Sequence, residues 1–110
     1  MSITHIVLFQ FKRDAAPEAI QDACENMLSL KDRCLHQSTR KPYIQFASGG
    51  RDNSPEGAQG RITHALVVQF ETATDRDFYV AKDSVHQAFV KSLDGLVERA
   101  QVVDFTPSVF

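Results

Sequence analysis

The chain has 110 residues, 43% of them hydrophobic and 24% charged, with a formal net charge of −2. This make-up predicts one globular domain spanning residues 1–110, without room for a second. The basic residues are scattered, with Lys12-Arg13 and Arg40-Lys41 as the only adjacent pairs, which argues against nucleic acid or an anionic membrane as a partner.

The N-terminal residues do not have the pattern expected of a secretion signal. Met1 to His5 lead directly into a strand pattern, without the basic segment and apolar core of a secretion signal. Apolar stretches fall well short of the roughly 20 residues that a membrane-spanning helix needs. We therefore expect a cytoplasmic protein with no membrane segment. Cys24 and Cys34 are too few and too oddly spaced for a metal site or a disulfide framework, so we expect free thiols.

The first predicted element is a strand from Ile3 to Phe11. Alternation along it places His5 and Val7 on one face and Ile6 and Leu8 on the other. Both faces are largely apolar, whereas an antiparallel strand of a monomer commonly turns one face to water. We expect a partner subunit to cover the second face.

A helix, a second strand and a long loop are predicted next. The helix begins around Asp14–Glu18, where a proline suits the first turn, and runs to Arg33. The strand spans Lys41 to Ala47. Residues 48–60 are dense in turn-forming residues and predict a loop of about twelve residues. A solvated hairpin connection, a lid and a rim of a dimer interface remain open for this loop.

The C-terminal half begins with a strand from Ile62 to Phe70 that is apolar on both faces and therefore belongs in the middle of a sheet. Thr74 is the expected N-cap of a short helix ending at Ala81. Asp83 or Ser84 is the expected N-cap of a further helix that continues to Val97. The last strand runs from Val102 to Thr106.

This order, β-α-β-β-α-α-β, predicts an α+β fold of the ferredoxin-like type, with a four-stranded antiparallel sheet carrying its helices on one face. The opposite face would expose apolar residues, namely Ile6, Leu8, Ala65 and Val67. That area is large for a monomer. Two such sheets meeting face to face would form a barrel.

Three histidines stand on or beside surfaces that should be buried: His5 and His64 inside strands, and His86 at the start of a helix. Imidazole is the side chain best suited to moving protons near neutral pH, so this pattern predicts a pocket. The structural alternatives are hydrogen-bonded core histidines at His5 and His64, and a helix-capping role for His86. In an antiparallel sheet of this order, Asp104 and His5 fall at the same sheet edge.

Four segments together resemble the stress-responsive dimeric α+β barrel family. They are His5–Lys12, Thr63–Glu71, Asp83–Phe89 and Val102–Pro107. The resemblance covers nearly the whole chain. It implies a homodimer whose two sheets form a barrel.

The enzymatic relatives in this family are small polyketide cyclases of the olivetolic acid cyclase type, which catalyse an intramolecular aldol condensation without a metal or an organic cofactor. The resemblance implies that His86 acts as the base, held by Asp104, while an upstream tyrosine binds or polarises the substrate carbonyl. It also implies that His5 and His64 line the same cavity. A carboxylate partner fixes an imidazole tautomer and raises its basicity, which suits the pair.

The chain departs from the Tyr-x-x-His-Pro-x-His stretch of those cyclases. Asp83 replaces the first histidine, Ser84 replaces the proline, and Tyr79 lies one residue too far from His86. Either a one-residue insertion restores Tyr79 to the family position, or Phe78 takes it and supplies no hydroxyl.

The leading hypothesis is a barrel protein with a pocket for a small, largely apolar, carbonyl-bearing molecule and cofactor-free acid–base chemistry of the cyclase type. A non-catalytic stress-associated protein that binds a ligand or a partner is the competing hypothesis. A third is a haem-dependent monooxygenase-like relative in which a histidine ligates iron, and Soret absorbance of the purified protein would identify it. The fold alone assigns no activity.

Overall fold

In the computed structural model, seven elements follow one another in the predicted order. They are β1 (Ile3–Phe11), α1 (Pro17–Arg33), β2 (Ile44–Arg51), β3 (His64–Phe70), α2 (Ala73–Ala81), α3 (Ser84–Ser92) and β4 (Val97–Phe105). The strands form one antiparallel sheet in the order β2-β3-β1-β4. The predicted α+β, ferredoxin-like architecture is confirmed.

The hydrophobic core lies between the helices and one face of the sheet. Residues at alternate positions of the two central strands fill it, including Val7 and Phe9 of β1 and Leu66 and Val68 of β3. The helices contribute buried side chains to the same cluster, namely Met27, Leu30, Tyr79 and Phe89. Burying a large apolar side chain contributes about 1.5–3 kcal/mol, so this packing holds the helices on that face.

The opposite sheet face carries the four apolar residues predicted for it. Ile6 pairs directly with Val67, and Leu8 pairs with Ala65, all four being partly exposed. The register adds three more exposed apolar side chains to the same face: Phe46 (45%), Val103 (55%) and Phe105 (44%). We call these seven residues the open face.

Strand β2 begins and ends later than predicted. Residues up to 43 complete a turn, in which the His36 N–H donates to the Lys41 carbonyl at 2.7 Å and Arg40 has a φ of 60°. The strand then continues through Gly49, which the sequence pattern places in the loop. A Cβ on Gly49 would lie 2.7 Å from both the Ala65 carbonyl oxygen and the Leu66 Cγ, so glycine is needed for this close strand pairing.

The helix caps differ from the prediction in one case. Thr72, not Thr74, is the N-cap of α2, and its hydroxyl accepts a hydrogen bond from the Asp75 N–H at 3.1 Å. Asp83 is the N-cap of α3, as one of the two predicted candidates.

Helix α3 ends at Ser92 instead of continuing to Val97. Gly95, with a φ of 80°, turns the chain back toward the sheet, and Val97 opens β4 by pairing with Phe11. β4 is therefore five residues longer at its start than the predicted strand, which began at Val102. Leu96 and Val97 match the helical spacing of the preceding residues, and this explains the error.

Both cysteines are free thiols, as predicted, and Cys34 is fully buried. None of the helices combines the length and the apolar character that crossing a bilayer requires.

Candidate functional site

A cavity of about 570 Å³ lies between α1 and the sheet, at the end where β1 and β2 finish and β3 begins. Its apolar wall includes Phe11, Ile20, Leu28 and Leu66. This volume falls within the range of small-molecule pockets, about 300–1,000 Å³. Of the predicted site residues, only His64 lines this cavity.

Hydrogen bonding holds the His64 ring in place. The Thr63 hydroxyl lies 3.1 Å from the Phe9 carbonyl oxygen and accepts from the Phe11 N–H at 3.2 Å. His64 Nδ1 lies 2.9 Å from the same hydroxyl oxygen, and this contact orients the imidazole.

His64 stays neutral near pH 7. Burial lowers its pKa below the ordinary histidine value, and the positive charge of Arg51 lowers the pKa further. Arg51 is the direct cross-strand neighbour of His64 in the β2–β3 pairing. The Phe11 ring holds the imidazole in edge-on contact, with ring centroids 4.9 Å apart. The cavity therefore contains an oriented, neutral imidazole beside a cation.

A second polar cluster lies at the other end of the sheet. His5 Nδ1 donates to Asp104 Oδ1 at 2.7 Å, and Arg76 Nη1 donates to Asp104 Oδ2 at 2.8 Å. His5 and Asp104 are direct partners in the β1–β4 pairing, so the predicted convergence at one sheet edge is confirmed. His5 is almost completely buried, which strengthens its bond to the carboxylate.

The predicted pairing of His86 with Asp104 is wrong. His86 Nδ1 instead donates to the Tyr79 carbonyl at 2.9 Å, and the two rings stack with centroids 3.8 Å apart. The Tyr79 carbonyl belongs to the last turn of α2, where carbonyls lack an intrahelical partner, so the imidazole satisfies it. His5 and Arg76 already hold the Asp104 carboxylate.

The His86 ring nevertheless keeps one nitrogen without a hydrogen-bond partner. Burial lowers its pKa, the bond to the Tyr79 carbonyl acts in the opposite direction, and the neighbouring His5 lowers the pKa again, with a net reduction. Near pH 7 the ring is neutral. Because Nδ1 donates to a carbonyl, Nε2 holds the free lone pair that a general base needs.

Of Tyr79 and Phe78, the structure places Tyr79 next to the histidines. The Tyr79 ring contacts both His86 and His5, the latter with centroids 5.8 Å apart, whereas Phe78 packs on Tyr43 at 5.7 Å. Tyr79 is fully buried and its hydroxyl has no hydrogen-bond partner. Burial raises its pKa, with smaller contributions from Cys34 and Asp83. Tyr79 thus supports the two histidines with its ring while its hydroxyl is enclosed in the core.

Asp83, at a position where the cyclases have a histidine, has a structural role. Its Oδ1 accepts from the Val85 N–H at 2.9 Å, capping α3, and its Oδ2 accepts from the Tyr43 hydroxyl. Burial and the Asp83 carboxylate together raise the pKa of Tyr43, and they raise the pKa of Cys34 to about 12. The cap was predictable from sequence, but Tyr43 lies 40 residues away and had no local signal.

The histidines form two centres, and the implied common cavity for His5 and His64 is not observed. Both point to the helix side of the sheet, but His64 pairs with Phe9, four residues from His5 and therefore roughly 13 Å along the strand. Core side chains such as Val7 fill the space between them. No three His, Cys, Asp or Glu side chains gather as a metal site would require.

Comparison with known proteins agrees with this architecture. The family model described as "Stress responsive A/B Barrel Domain" matches residues 3–107. Among curated proteins, none matches the chain. The chain is similar to solved structures at identities that establish the fold alone.

Three of these structures illustrate the similarity. A hydroxynitrile lyase from Passiflora edulis is 19% identical with a TM-score of 0.81, over 99% of this chain and 96% of that chain. A dimeric ferredoxin-like protein of unknown function from Jannaschia sp. is 17% identical with a TM-score of 0.77, over 96% and 99%. SnoaB, a cofactor-independent oxygenase from Streptomyces nogalater, is 11% identical with a TM-score of 0.71, over 99% and 95%.

Proposed function

Because the chain belongs to the stress-responsive A/B barrel domain family, we propose that it is a homodimer that binds a small, largely apolar molecule between α1 and the sheet. The observation that carries this proposal is the cavity of about 570 Å³, with apolar walls and the neutral His64 at one end. A carbonyl on the ligand would find hydrogen-bond donors among the basic side chains at the cavity rim.

The open face supports the homodimer. Its seven apolar residues form a contiguous patch that a monomer would expose to water, and a second copy can bury it symmetrically. The loop after β2 lies beside this patch, since Asp52, Asn53 and Gln59 share a hollow with Leu8 and Ala65. This placement favours the rim of a dimer interface among the three alternatives for the loop.

Filling the cavity tests the binding function. Leu28→Trp places a large ring into the space between α1 and the sheet, so we expect at least a tenfold loss of affinity for an apolar probe. N-phenyl-1-naphthylamine, a neutral dye that fluoresces in apolar surroundings, serves as the probe. The chain has no tryptophan, which keeps the fluorescence background of the wild-type protein low.

Val90→Trp is the matched control, because Val90 is on α3, is 49% exposed and does not line the cavity. It should bind the dye as the wild-type protein does. Equal dye binding by all three proteins would place the dye elsewhere and contradict the proposal, as would absence of binding by the wild-type protein.

Acid–base catalysis without a cofactor is a second candidate function, favoured by His86. Its tautomer is fixed by the Tyr79 carbonyl and its pKa is lowered, so a neutral Nε2 is ready to accept a proton. His5, bound to Asp104, lies close enough to lower that pKa. Cyclisation of a polyketone by aldol condensation and cleavage of a hydroxynitrile both need such a base.

Loss of the His86 imidazole should abolish most of any such activity. With mandelonitrile as the probe, the base removes the hydroxyl proton, the bond to the nitrile carbon breaks, and cyanide leaves as benzaldehyde forms. We expect His86→Ala to lower enzymatic turnover about 10²-fold or more, and His64→Ala to lower it less. Benzaldehyde absorbance measures the rate.

His36→Ala is the control, since the His36 side chain is 40% exposed, belongs to neither histidine centre and lies 3.8 Å from Asp75. It should leave turnover unchanged. Turnover that is unaffected by His86→Ala would contradict the catalytic candidate. If the wild-type protein does not cleave mandelonitrile faster than the uncatalysed reaction, hydroxynitrile cleavage is excluded as its activity.

A further inference from the structure

The rim of the cavity concentrates positive charge. Lys12 and Arg13 at the end of β1 and Arg51 at the end of β2 line it, while no aspartate or glutamate does. None of the three takes part in the ion pairs of the protein. This is a local imbalance, since the whole chain has 14 acidic and only 12 basic residues.

Unpaired cations next to an apolar wall match one class of ligand. An organic acid would place its charged oxygens against the cations and its hydrocarbon part against the wall, so both surfaces would be satisfied at once. A neutral apolar molecule would leave the cations without a partner. The cavity is large enough for both parts of such a molecule.

We propose that the ligand of this cavity is a carboxylic acid with an apolar body, whose carboxylate contacts Arg51 and Lys12 while the body lies along Leu28 and Ile20. This inference rests on the proposed binding function and adds the chemical class of the ligand. It also assigns Arg51 as the residue that selects the acid over a neutral analogue.

The position of His64 provides an independent readout. His64 lies directly opposite Arg51 on the neighbouring strand, with Thr63 and Phe11 packed against it and Cys24 of α1 lining the same cavity. A carboxylate held by Arg51 adds a negative charge near the imidazole and favours its protonated form. Ligand binding should therefore raise the His64 pKa, and so should Arg51→Gln in the free protein.

Octanoate and octan-1-ol, which have the same number of carbon atoms and differ in charge, test the inference by calorimetry at pH 7. We expect the wild-type protein to bind octanoate at least about tenfold more tightly than octan-1-ol, as a charge-assisted hydrogen bond implies. Arg51→Gln should remove most of that difference, because octanoate loses a charge-assisted hydrogen bond whereas octan-1-ol loses at most a weaker neutral one. Arg51 is exposed, so the variant should fold.

Arg40→Gln is the matched control, because Arg40 is exposed and does not line the cavity. It should bind both probes as the wild-type protein does. Equal affinity for the two probes, with no effect of Arg51→Gln, would overturn the acid assignment and leave the cavity as a neutral binding site. Octanoate binding that survives Leu28→Trp would place the anion outside the cavity and overturn the assignment too. If the wild-type protein binds neither probe and does not bind the dye, the proposed binding function itself is wrong.

Discussion

Val67→Lys is expected to convert the proposed homodimer into a monomer. Val67 lies at the centre of the open face, directly paired with Ile6, and the lysine charge would have to enter an apolar interface without a partner. An unpaired buried charge costs a few kcal/mol or more, which raises the dissociation constant at least about a hundredfold. Light scattering at micromolar concentration should change from twice 12.3 kDa to a single chain mass.

Two further variants make this test specific. Val103→Lys changes a residue of the open face that is 55% exposed in the protomer, so it should weaken the dimer without disturbing the fold. Val80→Lys on α2, 49% exposed and on the helix side, should leave the dimer intact. A wild-type protein that is monodisperse as a monomer would contradict the barrel, because the open face would then meet water.

Asp83→Ala is expected to lower the free energy of unfolding by about 2–4 kcal/mol. The substitution removes the cap of α3 and the acceptor of the buried Tyr43 hydroxyl, leaving that hydroxyl without a partner. An N-cap contributes about 1 kcal/mol, and an unsatisfied buried polar group costs roughly 1–3 kcal/mol more. Urea denaturation followed by circular dichroism, at one fixed protein concentration, measures the change.

The control for this effect is Asp77→Ala. Asp77 is exposed and pairs only with Arg76, so its loss should cost less than about 1 kcal/mol. If Asp83→Ala costs no more than this control, the cluster around Asp83 does not stabilise the protein as the geometry implies.

The sheet and its two faces were predictable because successive side chains of a strand point to opposite faces. Ile6 and Val67 fall on the same face whatever the details of the turns. The meeting of His5 and Asp104 was also predictable, since antiparallel register alone places them at one edge. These predictions depend on topology, which the order of elements determines.

The partner of His86 was not predictable in the same way. A backbone carbonyl at the end of a helix has no signature in the sequence. The family resemblance therefore predicted Asp104 as the partner of His86, and the Tyr79 carbonyl was missed. Gly49 was wrongly predicted to lie in the loop because a local residue type was interpreted without its tertiary contacts. Glycine marks turns in general, but here it allows two strands to approach closely.

The positive charge of the cavity could not be predicted from the sequence, because it depends on how the fold brings distant residues together. Lys12 and Arg13 lie 38 or more positions from Arg51, and the sequence shows their charges as scattered. The antiparallel sheet brings the ends of β1 and β2 to the same side of the cavity, where the three cations meet without acidic partners.

The histidine signals in a nuclear magnetic resonance titration with octanoate test the central claim most directly. The chain has four histidines, and each reports a different place: His64 in the cavity, His5 and His86 in the second cluster, and His36 near the surface. Binding in the cavity predicts that the His64 ring signals move with saturation and that its pKa rises. Saturable movement of His5 or His86 with His64 unchanged would contradict the account and place the binding site at the other end of the sheet.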